Sequence, residues 1–455
     1  MAETGLLINF KAKARKMKKF LGSKVFRFIW SAGLAVLFYF TCPPCFSKTT
    51  LGIILAILLV LVNAAELISR FVWLTHIARF LVGALFIFSG FIKANDPLGF
   101  SYKLKEYFEV FQNDTGMAFF EWFAHIALPL AIIVCASEII LGVMLLIGYR
   151  VQLTLWLLFA QIAFFTFLTF YSACFNKVTH CGCFGDFLKL KPWESFWKDI
   201  ALMILITLLF AGKDNIKEIF RPLATSTLFM AGLIFSIAFP VYAYRNLPPL
   251  DFRAYAPGMS IKENMKLPAT YKPPVIETGF IYENLKTGEK KHFDLKNYPW
   301  QDTLNWKWFA TDNVVVQDAV DPPKITDFTV NDLEGNNFTD ILLNDKGYSF
   351  WLIMHNLSET EDDETLMAQI NDFVKLAEQE KVRFVAFTSS DSKLIEAFKA
   401  KNKATYEFYI VDGIVLKTMV RANPGLMLVK DGTVIENWHH NNFPVYGDVK
   451  VKFMK

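Results

Sequence analysis

The sequence predicts a helical multi-pass membrane bundle followed by an α/β soluble domain. Three observations predict it. The chain has 455 residues, of which 53% are hydrophobic and 16% aromatic, too apolar for one soluble domain and too long for one core. The long apolar runs are confined to residues 1–244. From about residue 322 short apolar runs alternate with amphipathic stretches, as strands alternate with helices. The net charge of +4 is small for this length and gives no case for nucleic-acid binding.

In chain order, residues 9–24 are basic, and apolar segments follow at about 25–41, 50–68, 72–92, 124–148, 152–171, 197–212 and 223–244. Most approach the roughly 20 residues that cross a bilayer, so about seven transmembrane helices are expected. The first is short and has a basic flank, as a signal peptide would, but no small-x-small cleavage site follows it. The basic amino-terminus stays cytoplasmic under the positive-inside rule, and seven crossings place the carboxy-terminal domain in the periplasm of a bacterial inner membrane. Between the third and fourth segments, Leu104, Tyr107, Phe108 and Phe111 recur at helical spacing and predict an interfacial helix over 98–112. Residues 247–274 are Pro-rich and read as a linker, and 278–295 as a hairpin around Lys286-Thr287-Gly288. Strands are expected at 350–354, 382–390 and 406–412, with helices at 363–379 and 392–401. A last hairpin follows Asn423-Pro424-Gly425. The expected domains are 1–71 (basic segment and two extra spans), 72–244 (membrane domain), 245–321 (linker and hairpin) and 322–455 (soluble domain).

The chemistry-bearing residues concentrate in the membrane half. The chain has six cysteines and none after residue 245. The predicted topology puts Cys42, Cys45, Cys174, Cys181 and Cys183 on the outer, oxidising face. Cys181 and Cys183 share the loop Cys-Gly-Cys-Phe-Gly-Asp, with Cys174 and His180 just upstream. Two sulfurs close together on an accessible loop suit thiol–disulfide exchange, with Cys174 as resolving thiol and His180 favouring the thiolate. The same residues could instead form a permanent disulfide that pins the loop. Their spacing fits no common zinc pattern, so no metal site is expected. Cys42-Pro-Pro-Cys45 has redox-pair spacing but could equally be a helix stop with incidental cysteines. Cys135 lies in an apolar run and reads as core.

Glu138 lies near the middle of its apolar segment, where a carboxylate costs a few kcal/mol and must be neutralised or paired. Gln161, at similar depth in the next segment, is its expected partner, in a proton relay, a quinone contact or a packing hydrogen bond. Lys93 and Asp96 could be an interfacial ion pair or, with Gln161, line a quinone pocket. His439 and His440, adjacent on a strand, should point to opposite faces, which argues against a metal there.

The segments FIFSGFIKANDPLGFSYKLKEYF (86–108), SEIILGVMLLIGYR (137–150) and CGCFGD (181–186) together resemble the DoxX/MauE-like membrane family over roughly 72–244. MauE-like members are associated with maturation of methylamine dehydrogenase and its disulfides, and DoxX/DoxD-like relatives include a thiosulfate:quinone oxidoreductase. Residues 322–445 resemble a thioredoxin-like domain of the periplasmic thiol-reductase type, with Pro424 at the family's cis-proline. The family's Cys-x-x-Cys is replaced here by His355-Asn356-Leu357-Ser358, and a thioredoxin domain without thiols cannot exchange disulfides. The resemblances imply an inner-membrane thiol–disulfide protein, linked to quinone, with a redox-silent domain that recruits a periplasmic client through the Pro424 loop. Static disulfides in an assembly protein and a small-molecule:quinone oxidoreductase are the alternatives.

Overall fold

The structure, a computed structural model, describes residues 71–175, 177–178, 182, 184–317 and 319–454. The expected spans at 25–41 and 50–68 lie outside the described residues, as do Cys42, Cys45, His180, Cys181 and Cys183. The chain divides into two compact units at Leu250/Asp251.

The first unit is helical: α1 (Val72–Asn95), α2 (Pro97–Thr115), α3 (Phe119–His125), α4 (Ala127–Ile147), α5 (Val151–Phe175), α6 (Pro192–Ala211) and α7 (Pro222–Asn246). Among the described residues, four helices are long and apolar enough to cross a membrane: α1, α4, α5 and α7. The segment expected at 197–212 is helical, as α6, but is not one of the four. Glu194, Lys198 and Asp199 lie in its first half. The protein is thus a membrane protein by its helices.

Helices α1 and α4 approach closely because glycines face each other. A Cβ on Gly142 would stand 2.7 Å from the Gly83 carbonyl oxygen, and one on Gly90 would stand 2.7 Å from the Glu138 Cβ. Small residues of this kind replace the hydrophobic driving force that helices lack in lipid. The carboxy-terminal end of α4 would leave carbonyls unsatisfied. Buried Arg79 supplies donors, bonding Leu145 O at 2.9 Å and Leu146 O at 2.7 Å. Gly148 closes the helix in the left-handed region at φ 79°.

The helix expected at 98–112 is α2, and its apolar stripe packs against other helices. Phe100, Leu104, Tyr107, Phe108 and Phe111 are buried in one cluster with Ala131, Cys135, Ile139 and Leu168. Asp96 caps it, accepting from Gly99 N at 2.9 Å, and Pro97 occupies its first turn, where a missing N–H costs nothing. Asn95 and Leu250 exchange two hydrogen bonds, of 2.7 and 2.9 Å, tying the chain after α7 to the end of α1.

The second unit contains two sheets. After α8 (Ile261–Met265), β1 (Val275–Asn284), β2 (Lys290–Asp294) and β3 (Trp306–Gln317) form an antiparallel sheet of order β2-β1-β3. The expected hairpin is β1–β2. The third strand was not foreseen. The larger sheet follows α9 (Thr339–Leu343). It comprises β4 (Tyr348–Met354), β5 (Arg383–Thr388), β6 (Glu407–Ile410), β7 (Gly425–Lys430) and β8 (Thr433–His439), in the order β6-β5-β4-β7-β8. Strands β4, β5 and β6 are parallel, while β7 and β8 run antiparallel. Its helices are α10 (Glu364–Gln379), α11 (Ser392–Asn402), α12 (Gly413–Met419) and α13 (Tyr446–Phe453). Strand β4 is central and covered on both faces, hence its unbroken run of buried residues, Phe350 to Met354. Helix α10 packs Leu366, Met367, Ile370, Phe373, Val374 and Ala377 into that core. The Asn423–Pro424 peptide is cis, as expected from the sequence.

Candidate functional site

The site begins at the glycine contact between α1 and α4. Because Gly90 has no side chain, Glu138 meets α1 one turn from Lys93. Lys93 Nζ lies 2.5 Å from Glu138 Oε1 and donates to Ser89 Oγ at 3.0 Å. The two side chains are only 3% and 2% exposed. Two rings cover the ammonium, Phe165 at 4.5 Å and Phe100 at 5.4 Å from the ring centres, in favourable cation–π geometry. The remaining oxygen, Glu138 Oε2, is buried and has no hydrogen-bond partner.

This arrangement corrects two expectations. The ion-pair partner of Lys93 is Glu138 rather than Asp96, whose carboxylate caps α2. Gln161 does not meet Glu138 either; its Nε2 donates to Ser137 Oγ at 2.9 Å. The rotational phase of α5 presents Gln161 to the neighbouring residue. Of Lys93, Asp96 and Gln161, Lys93 lines the cavity beside the Lys93–Glu138 pair.

Beside the ion pair lies a cavity lined by Ser89, Lys93, Glu138, Phe165, Phe184 and Asp199, among others. It offers about 20 Å³ to the centre of a water molecule, room for a water. Asp199, on α6, also lines it. It is fully buried, accepts from Thr169 Oγ1 at 3.1 Å, and pairs with Lys198, which is 24% exposed. Phe184 belongs to the cysteine loop and immediately follows Cys183. It packs on Ile92 and lies 5.8 Å from the Phe88 ring. Asp199, Lys198, Ser89 and Thr169 were missed as site residues. The signal for Asp199 was an acid at the edge of an apolar run, weaker than the mid-segment position that singled out Glu138.

Cys174, in the last turn of α5, is disulfide-bonded. Cys135 is free and fully buried, as core packing requires. The four other cysteines lie outside the described residues. The chain around Cys174 is held firmly. Tyr107 OH and Ser172 Oγ are 2.6 Å apart, Tyr171 OH donates to Asp114, and Lys177 pairs with Asp114 at 3.1 Å. The Tyr171 hydrogen bond, followed by Lys177, holds the Asp114 carboxyl below its usual pKa.

In the second unit, the segment replacing Cys-x-x-Cys is latched to the cis-proline loop. Asn423 Nδ2 donates to Asn356 O at 3.0 Å, Thr360 Oγ1 to Asn423 Oδ1 at 3.1 Å, and Glu361 N to Asn423 O at 3.0 Å. Ser389 Oγ donates to His355 O at 2.5 Å. His440 Nδ1 lies 3.2 Å from Pro424 O, and burial lowers its pKa. The rings of His439 and His440 are 4.0 Å apart, so they do not point to opposite faces. Strand β8 ends at His439 and a 3₁₀ turn begins at His440, which breaks the two-residue alternation. Among the described residues no group of three or more His, Cys, Asp or Glu could hold a metal.

A helical membrane unit with a buried ion pair under a cysteine loop is joined here to a sheet-containing unit without thiols. The family described as "Methylamine utilisation protein MauE" matches residues 71–212, from α1 through α6. A domain of unknown function (DUF8463) matches residues 276–318, the three-stranded sheet. No curated protein matches the chain. Among solved structures, the C-terminal region is similar to "Solution structure of a putative protein disulfide isomerase from Bacteroides thetaiotaomicron". The identity is 14%, the TM-score 0.23, and 27% of this chain and 80% of that one are covered.

Proposed function

We propose that the protein is a MauE-like thiol–disulfide redox protein of the bacterial inner membrane that supports disulfide formation in, or maturation of, periplasmic proteins. The observation that carries this reading is the disulfide at Cys174. It sits at the end of a membrane-length helix, a few residues before the loop whose Phe184 lines the ion-pair cavity. In the proposed exchange, a client thiolate attacks the protein's disulfide, a mixed disulfide forms, and the client's second thiolate resolves it. The client loses two electrons as its disulfide forms, and the protein gains them as a dithiol. Cys174, Cys181 and Cys183 carry this step, with Cys42 and Cys45 as a further pair and His180 as the group favouring a thiolate. A quinone is the membrane carrier expected to reoxidise the dithiol. No step is assigned to the quinone.

The second unit serves in this reading as a redox-silent, thioredoxin-like recruitment domain. Its strand order, its cis Asn423–Pro424 bond and the His355–Ser358 replacement support that role. Asn423 O and Pro424 O are both engaged within the domain. A client at the Pro424 loop would therefore be held by side chains rather than by strand pairing at Asn423. The unit should face the periplasm: protease added to spheroplasts should remove the chain after about residue 250, and full protection would contradict the orientation.

One observation favours a second reading, an assembly protein with a structural disulfide. The bonds of Tyr171 and Lys177 to Asp114 brace the chain at Cys174 as a staple would. Cys181→Ser and Cys183→Ser separate the two. Each variant should insert normally and either trap a mixed disulfide with a client or lose client oxidation. Full activity in both would leave the structural reading.

A further inference from the structure

We infer that the cavity between α1, α4, α5 and α6 is a water site that joins two buried ion pairs into one hydrogen-bonded network. Four observations carry the inference. Glu138 Oε2 is buried without a partner, which costs free energy unless something donates to it. Glu138 and the buried Asp199 both line the cavity, and Ser89, Lys93 and Lys198 are the other polar residues in an otherwise apolar lining. A buried water needs two to four such partners. The space admits a water. Finally, the network has a way out. Asp199 pairs with Lys198, which is part-exposed and lies over the Phe184 ring at 5.7 Å.

The water donates one proton to Glu138 Oε2 and the other to Asp199, and accepts from Lys93 or Ser89. Glu138 thereby gains a hydrogen-bonded connection to the part-exposed Lys198 beside the cysteine loop. The use of that connection rests on the redox reading. Reoxidation of a dithiol releases two protons with its two electrons, and the connection would carry protons between the loop and the bundle.

The test has two arms, on full-length protein in lipid nanodiscs. The first needs no turnover. A high-resolution structure should show an ordered water within hydrogen-bond distance of both Glu138 Oε2 and an Asp199 oxygen. In addition, Glu138→Gln and Asp199→Asn should couple: the unfolding equilibrium constant of the double variant should differ at least about threefold from that expected by adding the single effects. A dry cavity, or additive single effects, overturns the water site whatever the redox activity. The second arm measures client-dithiol oxidation, which should fall about tenfold in Asp199→Asn while Cys174 remains disulfide-bonded. A water that is present with oxidation unchanged overturns the proton role and leaves the redox reading intact. Loss of the redox reading itself is read separately, from the loop-cysteine variants.

Discussion

Lys93→Met should destabilise the membrane unit by about 3–5 kcal/mol, because it leaves the Glu138 carboxylate buried without its cation. Both side chains are almost fully enclosed, so bulk solvent cannot replace the lost charge. The rings of Phe165 and Phe100 present their negative faces where the ammonium stood, which adds to the penalty. The double variant Lys93→Met/Glu138→Leu should recover most of the loss, since replacing a whole buried pair by apolar groups is often close to neutral. Unfolding in mixed micelles would read both. A single variant as stable as the wild type would mean that the pair is solvated, and the description of the site would be wrong.

Gly90→Leu should be nearly as damaging. A Cβ alone would stand 2.7 Å from the Glu138 Cβ and 2.9 Å from the Ile139 amide nitrogen, and neither can yield without moving α4. Overpacking of this kind costs about 1–3 kcal/mol by itself. Separating α1 from α4 would also stretch the Lys93–Glu138 pair, so the total should approach that of Lys93→Met. Gly90→Ala should be milder, and its effect should not add to that of Lys93→Met, because the two share one contact. Additive losses would show that the glycine and the ion pair are independent.

The elements of this protein were more legible in its sequence than their contacts. The long helices follow from unbroken apolar runs, and strand β4 from five consecutive large hydrophobics. The neighbours of α2 did not follow, because an amphipathic stripe of Leu104, Tyr107, Phe108 and Phe111 looks the same whether it faces lipid head groups or other helices. Strand β3 was missed because polar residues interrupt its alternation, as in Ala310-Thr311-Asp312-Asn313, and it runs partly along an exposed surface.

The site shows the same limit. That Glu138 needed a partner was readable from the cost of a carboxylate in an apolar helix. Which partner it has depends on where α1 touches α4, and glycines 45 or more positions away in sequence decide that contact. Depth alone suggested Gln161, and sequence proximity suggested Asp96 for Lys93. In both cases helix phase and close approach decided otherwise. That residues 355–358 carry no cysteine was plain in the sequence. The latch that holds this segment to Asn423 was not, since it depends on a loop more than 60 residues away.

The central claim is that the cysteines of the membrane unit cycle between disulfide and dithiol. Trapping the redox state of each cysteine in intact cells by acid quench and differential alkylation tests it most directly. After a pulse of a membrane-permeant dithiol, Cys174 should become alkylatable, and it should return to the disulfide within minutes once the dithiol is removed. Cys181→Ser or Cys183→Ser should slow that return. A Cys174 disulfide that stays closed throughout the pulse, with Cys181 and Cys183 unchanged in state, would contradict the redox account and identify the disulfide as a staple.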